Sequence, residues 1–300
     1  MGRLTAIVLG AAAGGGFPQW NCVCPVCRLA WDGDPRVKRS TQASLAVTAD
    51  GEHWVLLNAS PDLRAQLLAT PALQPRTPPR SSPITAVILT GAEVDQVAGL
   101  LTLRERQTFA LFATAETLGT LAANPMLNVL GDAVSRCAIA RDAPFALPGG
   151  MSAELFAVPG KVALYLEGKD PALTAETGVN VGIELGYGAR HLAYVPGAAA
   201  MTAALRARLA RADVVLFDGT LFTDDEMIAT GTGDKTGRRM GHLPLSGEDG
   251  TLAALTGLGG RRILTHLTNT NPILVEGSAE RRKVEQAGFE VAYDGMEIAL

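Results

Sequence analysis

The chain has 300 residues, 47% of them hydrophobic and 19% charged, with a formal net charge of -4. That composition describes a compact protein with ample core, of a length for one large α/β domain or two small ones. The acidic balance excludes a nucleic-acid or anionic-membrane surface, which needs a basic excess, and no stretch reaches the roughly 18 to 20 uninterrupted apolar residues of a membrane-spanning helix.

From the start, Met1 to Leu9 reads as a strand over Ala6–Leu9 running into a glycine turn rather than as a signal peptide, and Met1-Gly2 lacks the pattern of a myristoylation site. After Gly14-Gly15-Gly16 comes Cys22-Val23-Cys24-Pro25-Val26-Cys27, three of the four cysteines in the chain. A C-x-C-x-x-C cluster brings three thiolates to one point, which suits tetrahedral Zn²⁺ better than disulfide pairing; a redox or persulfide role is the alternative. Clustered thiols and a lone Cys137 fit a reducing cytoplasm.

Ser44–Thr48, Trp54–Asn58 and Ile84–Thr90 read as strands, and Pro61–Ala69 as a helix with Ser60 as its cap and Asp62 at its positive end. Gln74–Pro83, with four prolines, reads as an extended surface loop, followed by helices over Gly99–Arg106 and Ala115–Ala123. The second half continues with strands over Val179–Leu185, His191–Val195, Asp213–Asp218, Arg262–His266 and Glu290–Tyr293. Helices are predicted over Ala199–Ala212, Ser246–Leu258 and Ser278–Ala287. This rhythm predicts an α/β protein of two sheets packed face to face with helices outside.

Chemistry concentrates at strand ends. Glu93 and Asp95 follow the strand ending at Thr90 and can face a metal or substrate, although a lone Asp there also caps the next helix. Asp218 ends an apolar strand as Asp-Gly-Thr, where turn formation competes with ligation. Of four histidines, His53 and His191 sit beside strands in structural positions, whereas His242 and His266 lie at strand or loop ends. Two imidazoles plus carboxylates from Asp95, Asp218 or Glu93 make an iron- or zinc-type site with open positions. The basic run Lys235-Thr236-Gly237-Arg238-Arg239 reads as a solvated loop, with anion binding as the alternative.

Several of these segments together resemble one family. They include Gly16-Phe17-Pro18-Gln19-Trp20-Asn21-Cys22, Leu57-Asn58-Ala59-Ser60-Pro61-Asp62, Gly99 to Glu105, Phe217-Asp218-Gly219-Thr220, Met240-Gly241-His242, His266 with Asn269-Thr270-Asn271-Pro272, and Tyr293-Asp294-Gly295. The chain is similar over nearly its whole length to the pyrroloquinoline quinone (PQQ) biosynthesis protein B family of the metallo-β-lactamase-like superfamily. The resemblance implies one domain over 1–300, an αββα sandwich with two mixed sheets, and a structural zinc on Cys22, Cys24 and Cys27. Asn269 stands where a related phosphodiesterase family places a histidine on that zinc, which leaves its fourth ligand open. The family makes PQQ from a Glu–Tyr unit of a precursor peptide. Two roles are implied: iron- and O₂-dependent hydroxylation of the tyrosine ring, or carriage of PQQ or its precursor toward the periplasm. Other proteins of the pathway are possible partners.

The chain departs from the superfamily motif H-x-H-x-D-H, whose positions are here Gly91, Glu93, Asp95 and Gln96. Family members usually keep an Asp-His pair at the last two positions, so Gln96 replaces a histidine. Gly197 stands where a bridging aspartate is common. These losses argue against hydrolysis by a two-metal hydroxide and leave a single metal on Asp95, His242 and His266, with Asp218 as a further candidate.

Overall fold

The computed structural model describes residues 2–168 and 172–300. Met1, which opens the predicted N-terminal segment, lies outside them. Among the described residues fourteen strands run in chain order, beginning with β1 Thr5–Gly10, β2 Ser44–Thr48, β3 Trp54–Leu57, β4 Ile84–Ile88, β5 Phe109–Ala113, β6 Val134–Ala138 and β7 Phe145–Ala146. Then follow β8 Ser152–Ala157, β9 Val181–Tyr187, β10 Arg190–Val195, β11 Val214–Asp218, β12 Arg261–Thr265, β13 Phe289–Val291 and β14 Glu297–Ala299. They form two seven-stranded sheets of order β14-β1-β2-β3-β4-β5-β6 and β13-β12-β11-β10-β9-β8-β7. Each sheet is mixed: β3 to β6 and β10 to β13 pair in parallel, while the remaining neighbours are antiparallel.

Side-chain alternation along the strands sorts the core into layers. Leu45, Val47, Val55, Leu57 and Ile88 of the first sheet meet Leu155, Ile183, Leu185, Leu192, Tyr194 and Leu216 of the second. The intervening Ala46, Leu56, Val87 and Val215, Leu264 face outward onto the helical layers. Such two-faced burial explains why these strands read as continuous apolar runs. Residues after the parallel strands β4, β11 and β12 carry Glu93 and Asp95, Thr220, and His266, so the sheets converge at one edge on the candidate chemistry.

Some predicted elements differ. Ser60 does not cap the helix Leu63–Ala69; its hydroxyl donates to Gln66 Oε1 at 3.0 Å. Asp62 stands at the cap position, but its carboxylate accepts from the backbone and side chain of Gln42 at 2.9 and 3.0 Å. Gly99–Arg106 is a 3₁₀ turn over Ala98–Leu103. The predicted helix Ser246–Leu258 shrinks to Thr251–Ala254. There Ser246 is tied through both its backbone N–H and its hydroxyl to Phe222 O, so tertiary bonding overrides local propensity. His53 and His191 pair with Asp50 at 2.7 Å and Glu184 at 3.2 Å, away from the strand-end cluster.

Candidate functional site

Cys22, Cys24 and Cys27 converge, with their sulfur atoms within 4.8 Å of one another. The turn that does this ends in the helix Pro25–Trp31, whose first-turn proline fixes the backbone just after Cys24. Asn269 completes the cluster: Nδ2 lies 3.2 Å from Cys22 Sγ, 3.8 Å from Cys24 Sγ and 3.3 Å from Cys27 Sγ. Rotating the amide exchanges nitrogen for oxygen in the same place, so the side chain can present either a donor to thiolates or a carbonyl ligand to a cation. Burial pushes the Cys24 thiol up to about 12, with Cys22 and Cys27 beside it adding to the effect. Burial likewise raises Cys27. Two buried thiols, Cys24 and Cys27, that resist ionisation and have Cys22 beside them fit a divalent cation, which supplies the charge that thiolates here need.

The second cluster joins Asp218, His242 and His266, whose candidate ligand atoms also lie within 4.8 Å of one another. Asp218 is fully buried and its carboxylate is filled. Oδ1 accepts from Thr220 N at 3.0 Å and Thr220 Oγ1 at 2.6 Å, while Oδ2 accepts from Ala198 N at 2.9 Å and faces His242 Nδ1 at 2.7 Å. A carboxylate so occupied orients a neighbour, and it holds Nδ1 of His242 so that Nε2 is left free. Burial opposes ionisation of Asp218, but the charge and hydrogen bond of His242 outweigh it and hold the carboxyl low.

Thr220 performs the same service for His266, its Oγ1 lying 2.9 Å from Nδ1. His266 Nε2 then points at Asp95 Oδ2, 2.9 Å away. Two acceptors at that distance need a proton or a cation at them. With a proton, burial works against both charges, yet the contact raises the pKa of His266 and lowers that of Asp95. With a metal, an imidazole nitrogen and a carboxylate oxygen are a ligand pair suited to zinc or iron. His266 also has φ 58, unusual for a residue with a Cβ, and backbone strain of this kind gathers at functional sites. Asp95 therefore does not cap the helix Val94–Val97; the cap position belongs to Glu93.

Gln96 lines the same cavity as these ligands. Its Oε1 accepts from Glu93 N at 3.1 Å, and a Cβ at Gly91 would lie only 2.6 Å from it. Glycine at 91 thus gives Gln96 its room. At Gly197 a Cβ would stand 3.4 Å from His242 Cε1, so a side chain there would press on the imidazole.

Asp95, His242, His266 and Asn269 all line one cavity of about 580 Å³. A segment absent from the sequence reading covers part of it. Tyr165 donates to Ala92 O at 2.7 Å, and Glu93 accepts from Leu164 N at 3.1 Å. Neither Thr220 nor this segment was assigned a role from sequence; the Asp-Gly-Thr triplet carried the only signal for Thr220.

Comparison with known proteins places this geometry. The profile of the Beta-lactamase superfamily domain matches residues 53–267. The coenzyme PQQ synthesis protein B of Methylobacterium nodulans is 54% identical, covering 99% of this chain and 100% of the relative, and that of Gluconacetobacter diazotrophicus is 55% identical over 97% and 98%. The chain belongs to the coenzyme PQQ synthesis protein B family. Its place is PQQ biosynthesis. The Zn²⁺-bound family member from Methylobacterium extorquens superposes with a TM-score of 0.97 at 50% identity, covering 99% of this chain and 100% of that one. A diphosphatase of the PhnP family, 19% identical with a TM-score of 0.70 over 99% and 97%, shares the fold. Among the described residues of this family member, no helix is long and apolar enough to cross a membrane.

Proposed function

We propose that this chain hydroxylates the tyrosine ring of a Glu–Tyr precursor during PQQ biosynthesis, at one iron held by Asp95, His242 and His266. The observation that carries this is the paired placement of His266 Nε2 against Asp95 Oδ2 at 2.9 Å beside His242, at the wall of a cavity of about 580 Å³. Two imidazoles and one carboxylate are the donor set of non-haem iron oxygenases. Iron, when bound, supplies O₂ activation, with two electrons drawn from an external reductant.

The protein's own residues do the rest. Asp218 and Thr220 fix the two imidazoles through their Nδ1 atoms, so both present Nε2. Leu164 and Tyr165 line the cavity and are tied to the strand-end turn through Glu93 and Ala92, which holds a wall for the ring. Cys22, Cys24 and Cys27 hold a structural zinc, with Asn269 or water as fourth ligand, and this zinc orders the loop that forms the cavity wall at Asn269.

A second reading, a carrier of PQQ or its precursor, draws on Gln96, whose neutral amide replaces the family's imidazole and whose oxygen is engaged by Glu93 N. The discriminating experiment loads the chain with Fe(II) anaerobically, adds a Glu–Tyr peptide, a reductant and O₂, and analyses for a catechol. Product that disappears in His266→Ala supports hydroxylation. No product, together with tight PQQ binding by the iron-free chain, supports the carrier and overturns the first reading.

A further inference from the structure

The basic run at Lys235–Arg239 takes no part in the metal reading, yet it is not a solvated loop. The Thr236 hydroxyl accepts from Arg239 N at 3.2 Å and starts the helix Gly237–Met240. Arg239 Nη1 and Lys235 Nζ lie 3.2 and 3.8 Å from Glu167 Oε2. From the covering segment, Lys161 Nζ lies 2.5 Å from Glu167 Oε1 and 3.3 Å from Glu93 Oε1. Although the side chains of Lys161 and Glu167 are only 9% and 7% exposed, both line the cavity, and so does Lys235. Lys161 and Lys235 thus share the carboxylates of the cavity wall with Arg239, which meets Glu167 from behind it.

We propose that this wall is a carboxylate subsite, in which Lys161 and Lys235 receive a carboxylate of a substrate whose phenol lies at Asp95, His242 and His266. The proposal rests on the functional reading above and names how its acidic substrate is recognised. An ammonium group has three donors. Among the described residues Lys161 donates to Glu93 Oε1 and stands 2.5 Å from Glu167 Oε1, and Lys235 comes no nearer than 3.8 Å to a carboxylate. Both therefore retain donors for an incoming anion. Glu93 and Glu167 hold the cations in place, and Arg239 neutralises Glu167 from the far side. Burial disfavours the charged form of Glu167, but Lys161 and Arg239 outweigh it and keep the carboxyl ionised. The subsite adjoins the metal residues: Glu93 is two residues before Asp95, and the Lys161 stem passes 3.4 Å from the Cβ position of Gly241, next to His242. A short acidic peptide carries both a phenol and a side-chain carboxylate, the two groups such adjoining sites would take.

The test is calorimetric binding of N-acetyl-Glu-Tyr-amide and N-acetyl-Gln-Tyr-amide to the full chain at low salt. The two probes differ by one carboxylate. The native chain is expected to bind the glutamyl peptide about tenfold more tightly, the worth of one charge-assisted contact, and Lys235→Gln or Lys161→Gln should remove most of that preference. Equal binding of both peptides, no binding of either, or an undiminished preference in both variants overturns the subsite. Catechol formation is read separately. Preference without product sinks the hydroxylase reading alone, and product without preference sinks the subsite alone.

Discussion

Replacing Glu226 with glutamine tests the architecture behind the site. Glu226 is buried, and its carboxyl accepts from Phe222 N at 2.7 Å and from Thr270 Oγ1 at 2.6 Å, which ties the strand-end turn after Asp218 to the loop that carries Asn269. Burial raises its pKa from 4.5 to about 6, more than those two bonds lower it. The folded chain therefore keeps a proton that the unfolded chain has released between about pH 4.5 and 6. Stability from this group is complete below that window, falls as pH rises through it, and is flat above it. At 1.36 kcal/mol per pKa unit the loss totals about 2 kcal/mol. Glutamine can accept from Phe222 N with its oxygen and donate to the Thr270 hydroxyl, which rotates to receive it. Urea unfolding of both proteins across pH 4 to 8 should show the variant gaining about 2 kcal/mol relative to the native chain as pH rises through the window. A stability difference that does not change with pH would refute the argument.

Other outcomes follow from the same geometry. Cys24→Ser should cost the chain one equivalent of zinc by elemental analysis and lower its melting temperature, because two thiols and an amide hold the ion poorly. Tyr194→Phe removes a buried hydroxyl that has no hydrogen-bond partner among the described residues, so stability should stay level or rise by up to about 1 kcal/mol; a large fall in melting temperature would reveal a partner. Gln96→His should change catechol formation by less than about tenfold, since Gln96 serves the backbone at Glu93 rather than the metal. Activity in the variant alone would mark the native site as degenerate.

The central strands were legible because burial on both faces makes them unbroken apolar runs, as in Val214–Asp218 and Ile84–Ile88. The edge strands were not. Val134–Ala138 has exposed residues at Ser135, Arg136 and Ala138, and Phe145–Ala146 has only two residues, too short for a pattern. Sequence placed His242, His266 and Asp95 at element ends, and the structure brings all three to one cavity. It could not decide whether Asp95 caps or faces the pocket, because that depends on Glu93 taking the cap. Asp218 was a candidate ligand by type; the structure groups it with His242 and His266, and its four contacts, which also suit it to orient His242, depend on three-dimensional neighbours that no local pattern shows. Lys161 and Glu167 carry no local signal at all. Their meaning comes from Glu93 and Arg239, each some 70 residues away along the chain.

Hydroxylation here requires one ion at Asp95, His242 and His266, and anaerobic Fe(II) titration of the Cys24→Ser chain tests this most directly, because that variant disables the cysteine site and leaves these residues to bind the ion. One equivalent of Fe(II), lost on adding His266→Ala, is the predicted result. No Fe(II) bound, or binding indifferent to His266, would contradict it.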